Sequence, residues 1–297
     1  MAEFQAALAA CAETVEKTMD MLLPRPDDAE ARLFEAMRYS ALAGGKRLRP
    51  FLVMQSSELF GVDRRCAARV AAAIEFVHTY SLIHDDLPAM DDADFRRGAP
   101  SAHKKFDEAT AILAGDALQA LAFEVLAAPE THTDPAVRIE LVRELSRAAG
   151  GGGMCGGQMI DLLAESGQYD NSIGAITRLQ RLKTGEMFAF AAVSGAVLGK
   201  ASYRVYMALH NYAQEFGLAF QIVDDLLDTE GDSAETGKPT GKDVAAGKAT
   251  FVSILGPERA RAQAKLLVDQ AIQALDVFDS RADPLRDAAR FVVDRTK

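Results

Sequence analysis

Apolar residues in this chain recur at three- and four-residue steps almost from end to end, and that spacing confines the fold to packed helices. Leu33, Phe34, Met37 and Leu42 follow it, and Gly44-Gly45 supplies the stop expected after a helix. Leu48 to Phe60 repeats the pattern and stops at Gly61. Val70 to Asp86, His103 to Leu126, Asp134 to Leu145, Ile173 to Leu198, Tyr203 to Leu227 and Ala249 to Val277 read the same way, with alanine filling of high helix propensity. No segment alternates as a convincing strand. Of the breaks, only 231–241 is long and polar enough to serve as a mobile lid. No linker, solenoid repeat or low-complexity tract divides the chain, so the expectation is an all-α, single-domain helical bundle over 1–297.

With 297 residues, 49% of them hydrophobic, the chain can bury a large core. Its formal net charge of −10 repels a nucleic-acid backbone, so the basic residues are better suited to small anions. The first residues lack a basic leader and carry Glu13 and Glu16. The most apolar run, Phe188 to Gly199, is shorter than the ~20 residues that span a bilayer, so no membrane span is expected. Cys11, Cys66 and Cys155 stand far apart with no CxxC pair, which favours neither a disulfide framework nor a zinc site and fits a reducing cytoplasm.

Two acidic runs end apolar helices: Asp85-Asp86-Leu87-Pro88-Ala89-Met90-Asp91-Asp92, followed by Arg96-Arg97-Gly98, and Asp224-Asp225-Leu226-Leu227-Asp228, followed by Lys238, Lys242 and Lys248. Crowded carboxylates repel one another unless a cation neutralises them, and hard oxygen ligands suit magnesium, which takes one or two carboxylates plus substrate phosphates. Asp224 and Asp228 share one face of a helix with Asp225 alongside. Asp85 and Asp91 are six residues apart, roughly 120° around a straight helix, so Pro88 must distort the backbone for them to meet. A calcium loop is the weaker reading, because the DxDxDG pattern with its distal glutamate is missing. A solvated helix end is the bland reading of either run alone; two runs, each at the end of an element whose other faces must be buried, argue against it.

Gly44-Gly45-Lys46-Arg47-Leu48-Arg49-Pro50 joins a helix end to a helix start and gathers amides and cations into an anion site, although plain capping leaves the same signature. His78 precedes Asp85 by two helical turns and so faces the same cleft, with a satisfied core histidine as the alternative. The glycines at 150–153 and 156–157 follow no strand, and close helix packing or a kink accounts for them better than a nucleotide loop.

GGKRLRP (44–50), EFVHTYSLIHDDLPAMD (75–91), RRG (96–98), GMCGGQ (153–158), LKTG (182–185), FQIVDDLLD (220–228) and GKPTGKD (237–243) together closely resemble the trans-polyprenyl diphosphate synthases, and within them the bacterial farnesyl diphosphate synthases. The resemblance implies an isoprenoid-synthase-type helical bundle around a central active-site cavity. It implies condensation of isopentenyl diphosphate with dimethylallyl or geranyl diphosphate to farnesyl diphosphate. Asp85, Asp91 and Asp224 would bind three magnesium ions gripping the allylic diphosphate, with Asp86 and Asp228 assisting. Arg96, Lys183 and Lys238 would contact the same leaving group, with Lys248 less securely so, because the aromatic-proline pair of many relatives is absent after it. Isopentenyl diphosphate would take Lys46, Arg49, His78 and Arg97. Thr184 and Gln221 would border the carbocation, and Asp161 would hold Lys183. Arg295 and Lys297 resemble a basic tail that closes over the isopentenyl site, or else a frayed terminus. A homodimer is the family expectation.

Product length is expected to follow from Tyr80, five residues or roughly 7.5 Å before Asp85, whose ring can floor the cavity, the alternative being a core aromatic with no effect on length; the small Ser81 is not the stop by itself. The alternatives are geranylgeranyl synthesis or a non-catalytic synthase subunit, which would be expected to have lost one aspartate run. A class I terpene cyclase would lack DDLLD and have no use for GGKRLRP.

Overall fold

A computed structural model describes residues 2–230 and 250–295. The sequence-derived lid at 231–241, Lys238, Lys242, Lys248 and Lys297 lie outside the described residues. The chain divides into two compact units, Ala2–Val142 and Arg143–Lys297.

In the first unit, α4 (Arg64–Asp85) is the hub. Around it pack α1 (Ala2–Leu22), α2 (Ala31–Ala41), α3 (Leu48–Glu58) and α6 (Glu108–Ala127). Alanines 67, 68, 71, 72 and 73 are buried on α4, and their small side chains let neighbouring helices approach from several directions, with Ile74, Phe76 and Val77 filling between them. The helix starts where the Asp63 carboxylate accepts the Arg65 amide at 2.8 Å. It buries one acid, Glu75, whose partner is the equally buried Arg47 at 2.5 Å.

In the second unit, α11 (Tyr203–Glu230) takes the central place, flanked by α10 (Glu186–Leu198), α13 (Pro257–Ala274) and α14 (Asp283–Asp294). Phe188 meets Phe216 edge-on at 5.0 Å. The fully buried Tyr212 satisfies its hydroxyl by donating to the Leu285 carbonyl at 2.8 Å. In chain order α7 (Pro135–Ala149) is followed by the shorter α8 (Met154–Glu165) and α9 (Ile173–Gln180), and α12 (Phe251–Leu255) precedes α13.

The all-α expectation holds, with several local corrections. Phe95–Arg96 (β1) and Ala99–Pro100 (β2) form a two-residue antiparallel hairpin, Arg96 opposite Ala99. Arg97 and Gly98 at its turn both have positive φ, 53° and 78°, the handedness that matches strand twist. His103 to Leu126 is not one helix but α5 (Ala102–Lys105) and α6, because the Asp107 carboxylate accepts the Thr110 amide at 2.7 Å and starts a new helix. The segment read as Ala249 to Val277 breaks at Gly256, φ 80°, before Pro257 opens α13. The helices α1, α8 and α14 were not read from spacing; glycines interrupt α8, whereas Leu285, Ala288, Ala289 and Val292 on α14 keep the three- and four-residue steps and carried a readable signal. By length and composition alone α6 could cross a membrane, although Ala111, Ala114, Leu118 and Ala122 are buried in the unit.

Candidate active site

The first acidic run closes on itself through the backbone. Helix α4 ends at Asp85, Pro88 sits in the turn that follows, and the Asp91 amide donates back to the Asp85 carbonyl at 2.9 Å. The distortion assigned to Pro88 is therefore a helix stop rather than a kink, and it brings the backbones of Asp85 and Asp91 into one turn. Asp85 is partly exposed and Asp91 exposed, whereas Asp86 is only 2% exposed. Both Asp86 oxygens accept from Arg96, with Nε at 3.1 Å from each and Nη2 at 2.5 Å from one. This commits Asp86 to a guanidinium and fixes Arg96 on the hairpin strand beside the run.

Arg97, at the hairpin turn, donates from Nη1 to the carbonyl of Gly44. Its guanidinium fills the space of a Gly45 side chain, since a Cβ there would lie 2.8 Å from the guanidinium carbon and the residue already has φ +139°. Gly45 is thus needed for its conformation, and the guanidinium uses the space it leaves. Of the neighbouring cations, Lys46 is exposed and Arg49 half-buried. Arg47 turns inward at φ 50° and donates to Glu75, to Glu16 at 3.2 Å and to the Ala41 carbonyl at 2.9 Å. It braces the loop and does not present its charge to solvent. Burial, and then Arg49, Arg97, Arg47 and Arg96 in that order, push the His78 imidazole well below its ordinary pKa. His78 is therefore neutral at pH 7, and of the four arginines whose field it feels, Arg47 is held by Glu75 and Arg96 by Asp86.

Sequence placed Tyr80 at a cavity floor. Tyr80 is 6% exposed and meets the His84 ring edge-on at 5.7 Å, while Ser81 donates to the His78 carbonyl at 2.9 Å. The His84 ring occupies the space of a Gly115 side chain and its Nε2 lies 3.1 Å from the Ile112 carbonyl. His84 and Gly115 were missed because nothing in a lone histidine and a helical glycine thirty-one residues apart signals contact.

In the second unit a π-helical turn, Arg181–Gly185, interrupts the junction of α9 and α10. Such turns frequently mark functional sites. Lys183 donates from Nζ to Asp161 Oδ2 at 2.5 Å, and the Thr184 hydroxyl donates to Gln221 Oε1 at 3.0 Å. Gly157 is where α8 touches this turn, for a side chain there would collide with the Lys183 backbone. The close-packing reading of the glycine pair holds at this position.

Gln221, Asp224 and Asp228 stand at one-turn intervals on α11, all partly exposed. Asp225 does not join them. It is buried, and its carboxylate accepts the Phe251 amide at 3.1 Å, anchoring α12. Asp224 accepts from Arg295 Nη2 at 2.6 Å. Among the described residues no three His, Cys, Asp or Glu side chains form a cage. Pairs of carboxylates one turn apart, one already holding a cation, fit an ion that draws its remaining ligands from water and phosphate.

A family model described as polyprenyl synthetase matches residues 30–282. The chain is 43% identical to a farnesyl diphosphate synthase of Escherichia coli over 99% of its own length and 100% of the relative's. It is 41% identical to a geranylgeranyl diphosphate synthase of Cyanophora paradoxa, covering 95% of this chain and 93% of the other. A crystal structure of an FPP/GFPP synthase from Zymomonas mobilis superposes with a TM-score of 0.90 at 50% identity, over 98% of this chain and 99% of that one.

Proposed function

The chain belongs to the polyprenyl synthetase family, and on that premise we propose that it is a short-chain trans-prenyltransferase that condenses isopentenyl diphosphate with dimethylallyl and geranyl diphosphates to farnesyl diphosphate. The single family match, running 30–282, supports one synthase domain. The observation that carries the reading is the array on the π-helical turn and α11: a cationic lysine, a neutral Thr184–Gln221 pair, and two aspartates within two helical turns. A leaving diphosphate needs cations and a developing carbocation needs dipoles that do not trap it. This array supplies both.

In the proposed reaction the carbon–oxygen bond of the allylic diphosphate breaks and pyrophosphate leaves with the electron pair. The alkene of isopentenyl diphosphate then bonds to the allylic carbon, and a proton passes to the released pyrophosphate. Magnesium, three ions held through Asp85, Asp91, Asp224 and Asp228, would neutralise the leaving group when bound. Lys183 and Arg96 orient the allylic diphosphate, and Asp86 serves by holding Arg96. Lys238 and Lys248 complete that set. Lys46, Arg49, His78 and Arg97 receive isopentenyl diphosphate, a reading supported by the positive field that Arg49 and Arg97 set up at His78. Thr184 and Gln221 face the cation.

The protein acts in the cytoplasm as a homodimer without a membrane span, a reading supported by its family membership. Two experiments test the reading. Pyrophosphate release should require both substrates and magnesium together; release from an allylic diphosphate alone at the same rate would point to a cyclase. Asp85→Asn and Asp224→Asn should nearly abolish that release while leaving the circular dichroism unchanged. Normal turnover in either folded variant would sink the metal assignment.

A further inference from the structure

Arg295 lies one residue past α14, where a frayed end or a basic tail was expected, yet its side chain is only 1% exposed. Nη2 donates to Asp224 Oδ1 at 2.6 Å and to the Phe220 carbonyl at 2.8 Å, and the guanidinium carbon stands 4.0 Å above the Phe220 ring. The carboxylate it holds is partly open, with 44% of the Asp224 side chain exposed. The arginine is sunk behind the aspartate, and the aspartate still faces outward.

The guanidinium is poorly satisfied in this position. Among the described residues Nε and Nη1 are buried without a hydrogen-bond partner, which leaves three of its five N–H donors unused there. Burying such donors costs free energy, so only the contacts to Asp224, the Phe220 carbonyl and the Phe220 ring hold the pose. The set of contacts around Asp224 is that of a carboxylate given a cation from within the chain. A divalent ion arriving at the same carboxylate would meet a positive charge already seated on it.

We propose that Arg295 is a resident counter-ion of Asp224 that competes with the divalent metal, so that metal loading at the second acidic run displaces Arg295 and loosens the end of α14. The inference rests on the proposed metal role of Asp224. It assigns a task to a residue outside every acidic and lysine motif. In the metal-free protein Arg295 neutralises a carboxylate that would otherwise repel Asp228 one turn away, and it disfavours loading by metal alone. Diphosphate-bound metal, which brings its own negative charge, exchanges with the arginine more readily than the bare ion.

The test is binding of manganese(II), read by electron paramagnetic resonance, to the full chain with no diphosphate present. Arg295→Met, close in volume and without charge, should tighten manganese binding about fivefold, the order of one removed and partly screened charge. Arg295→Lys should stay within about twofold of wild type on the same reasoning. In an Asp224→Asn background the Arg295→Met change should have no effect. Equal or weaker manganese binding by Arg295→Met, or none by any variant, overturns the proposal while leaving the metal enzyme intact; turnover that persists when the metal is chelated overturns both. Should Arg295→Met not fold, hydrogen exchange of the wild type decides: manganese alone should speed exchange at the end of α14, where the Arg295 amide donates to Phe291 at 3.1 Å, and unchanged exchange contradicts displacement.

Discussion

The Lys183 ammonium rests 2.5 Å from Asp161 Oδ2, a contact between a π-helical turn and the middle of α8, with both side chains largely buried. The aspartate fixes where the charge sits before substrate arrives. Asp161→Asn keeps the shape and removes the charge, so kcat should fall roughly tenfold to a hundredfold through misplacement of the lysine. The Michaelis constant for isopentenyl diphosphate should stay nearly constant. Steady-state kinetics check this, and an unchanged kcat would remove Asp161 as the residue that positions the lysine.

Arg47 and Glu75 form the buried ion pair of the first unit, with side chains 0% and 3% exposed. Removing one partner strands the other charge away from water. Glu75→Gln should therefore lower stability by about 3–5 kcal/mol, while Glu16→Gln, at the half-open second contact, should cost less than about 1 kcal/mol. Urea melts of the two variants measure the difference. Equal effects would mean that the pair contributes nothing special.

His78 has its folded pKa depressed by burial and by neighbouring guanidiniums. The unfolded chain takes up the proton near pH 6.5 while the folded one resists it, so this contribution to stability is present above that pH and declines as pH falls below it. A diphosphate bound among the guanidiniums cancels their field and raises the imidazole pKa. Calorimetry at about pH 6.5 in buffers of different ionisation enthalpy should show net proton uptake when isopentenyl diphosphate binds. His78→Gln should abolish that uptake.

Tyr80 and His84 pack edge-on, and His84 occupies the room left by Gly115. Tyr80→Ala should open the space along α4 and shift products to C20 and longer. An active variant that still releases only farnesyl diphosphate would remove Tyr80 as the stop. Gly115→Ala drives a methyl into the His84 ring and should cost about 1–3 kcal/mol by overpacking, visible in thermal melts.

Fold class was legible because apolar spacing and alanine content agree along nearly every helix. The acidic runs were legible because carboxylate density is a local signal. What stayed hidden depends on contacts between residues distant in sequence. Arg47 reads as one more cation of a basic loop until Glu16 and Glu75 converge on it. Asp225 reads as a third member of its run until the Phe251 amide claims it, and Asp86 reads like Asp85 until Arg96 folds back from the hairpin. That hairpin was missed because two residues per strand carry no periodicity; Arg97-Gly98 was its one local trace. The π-helical turn has no signature in LKTG, although the Gly157 that makes room for it does sit in a glycine motif.

The central claim is that this chain builds a fifteen-carbon chain from isopentenyl units by a magnesium-dependent condensation. Mass analysis of the diphosphates formed from isopentenyl plus dimethylallyl diphosphate with magnesium tests it most directly. Farnesyl diphosphate as the main product, through transient geranyl diphosphate and with no product when the metal is chelated, is the predicted result; recovery of both substrates unchanged, or a main product of twenty carbons or more, would contradict it.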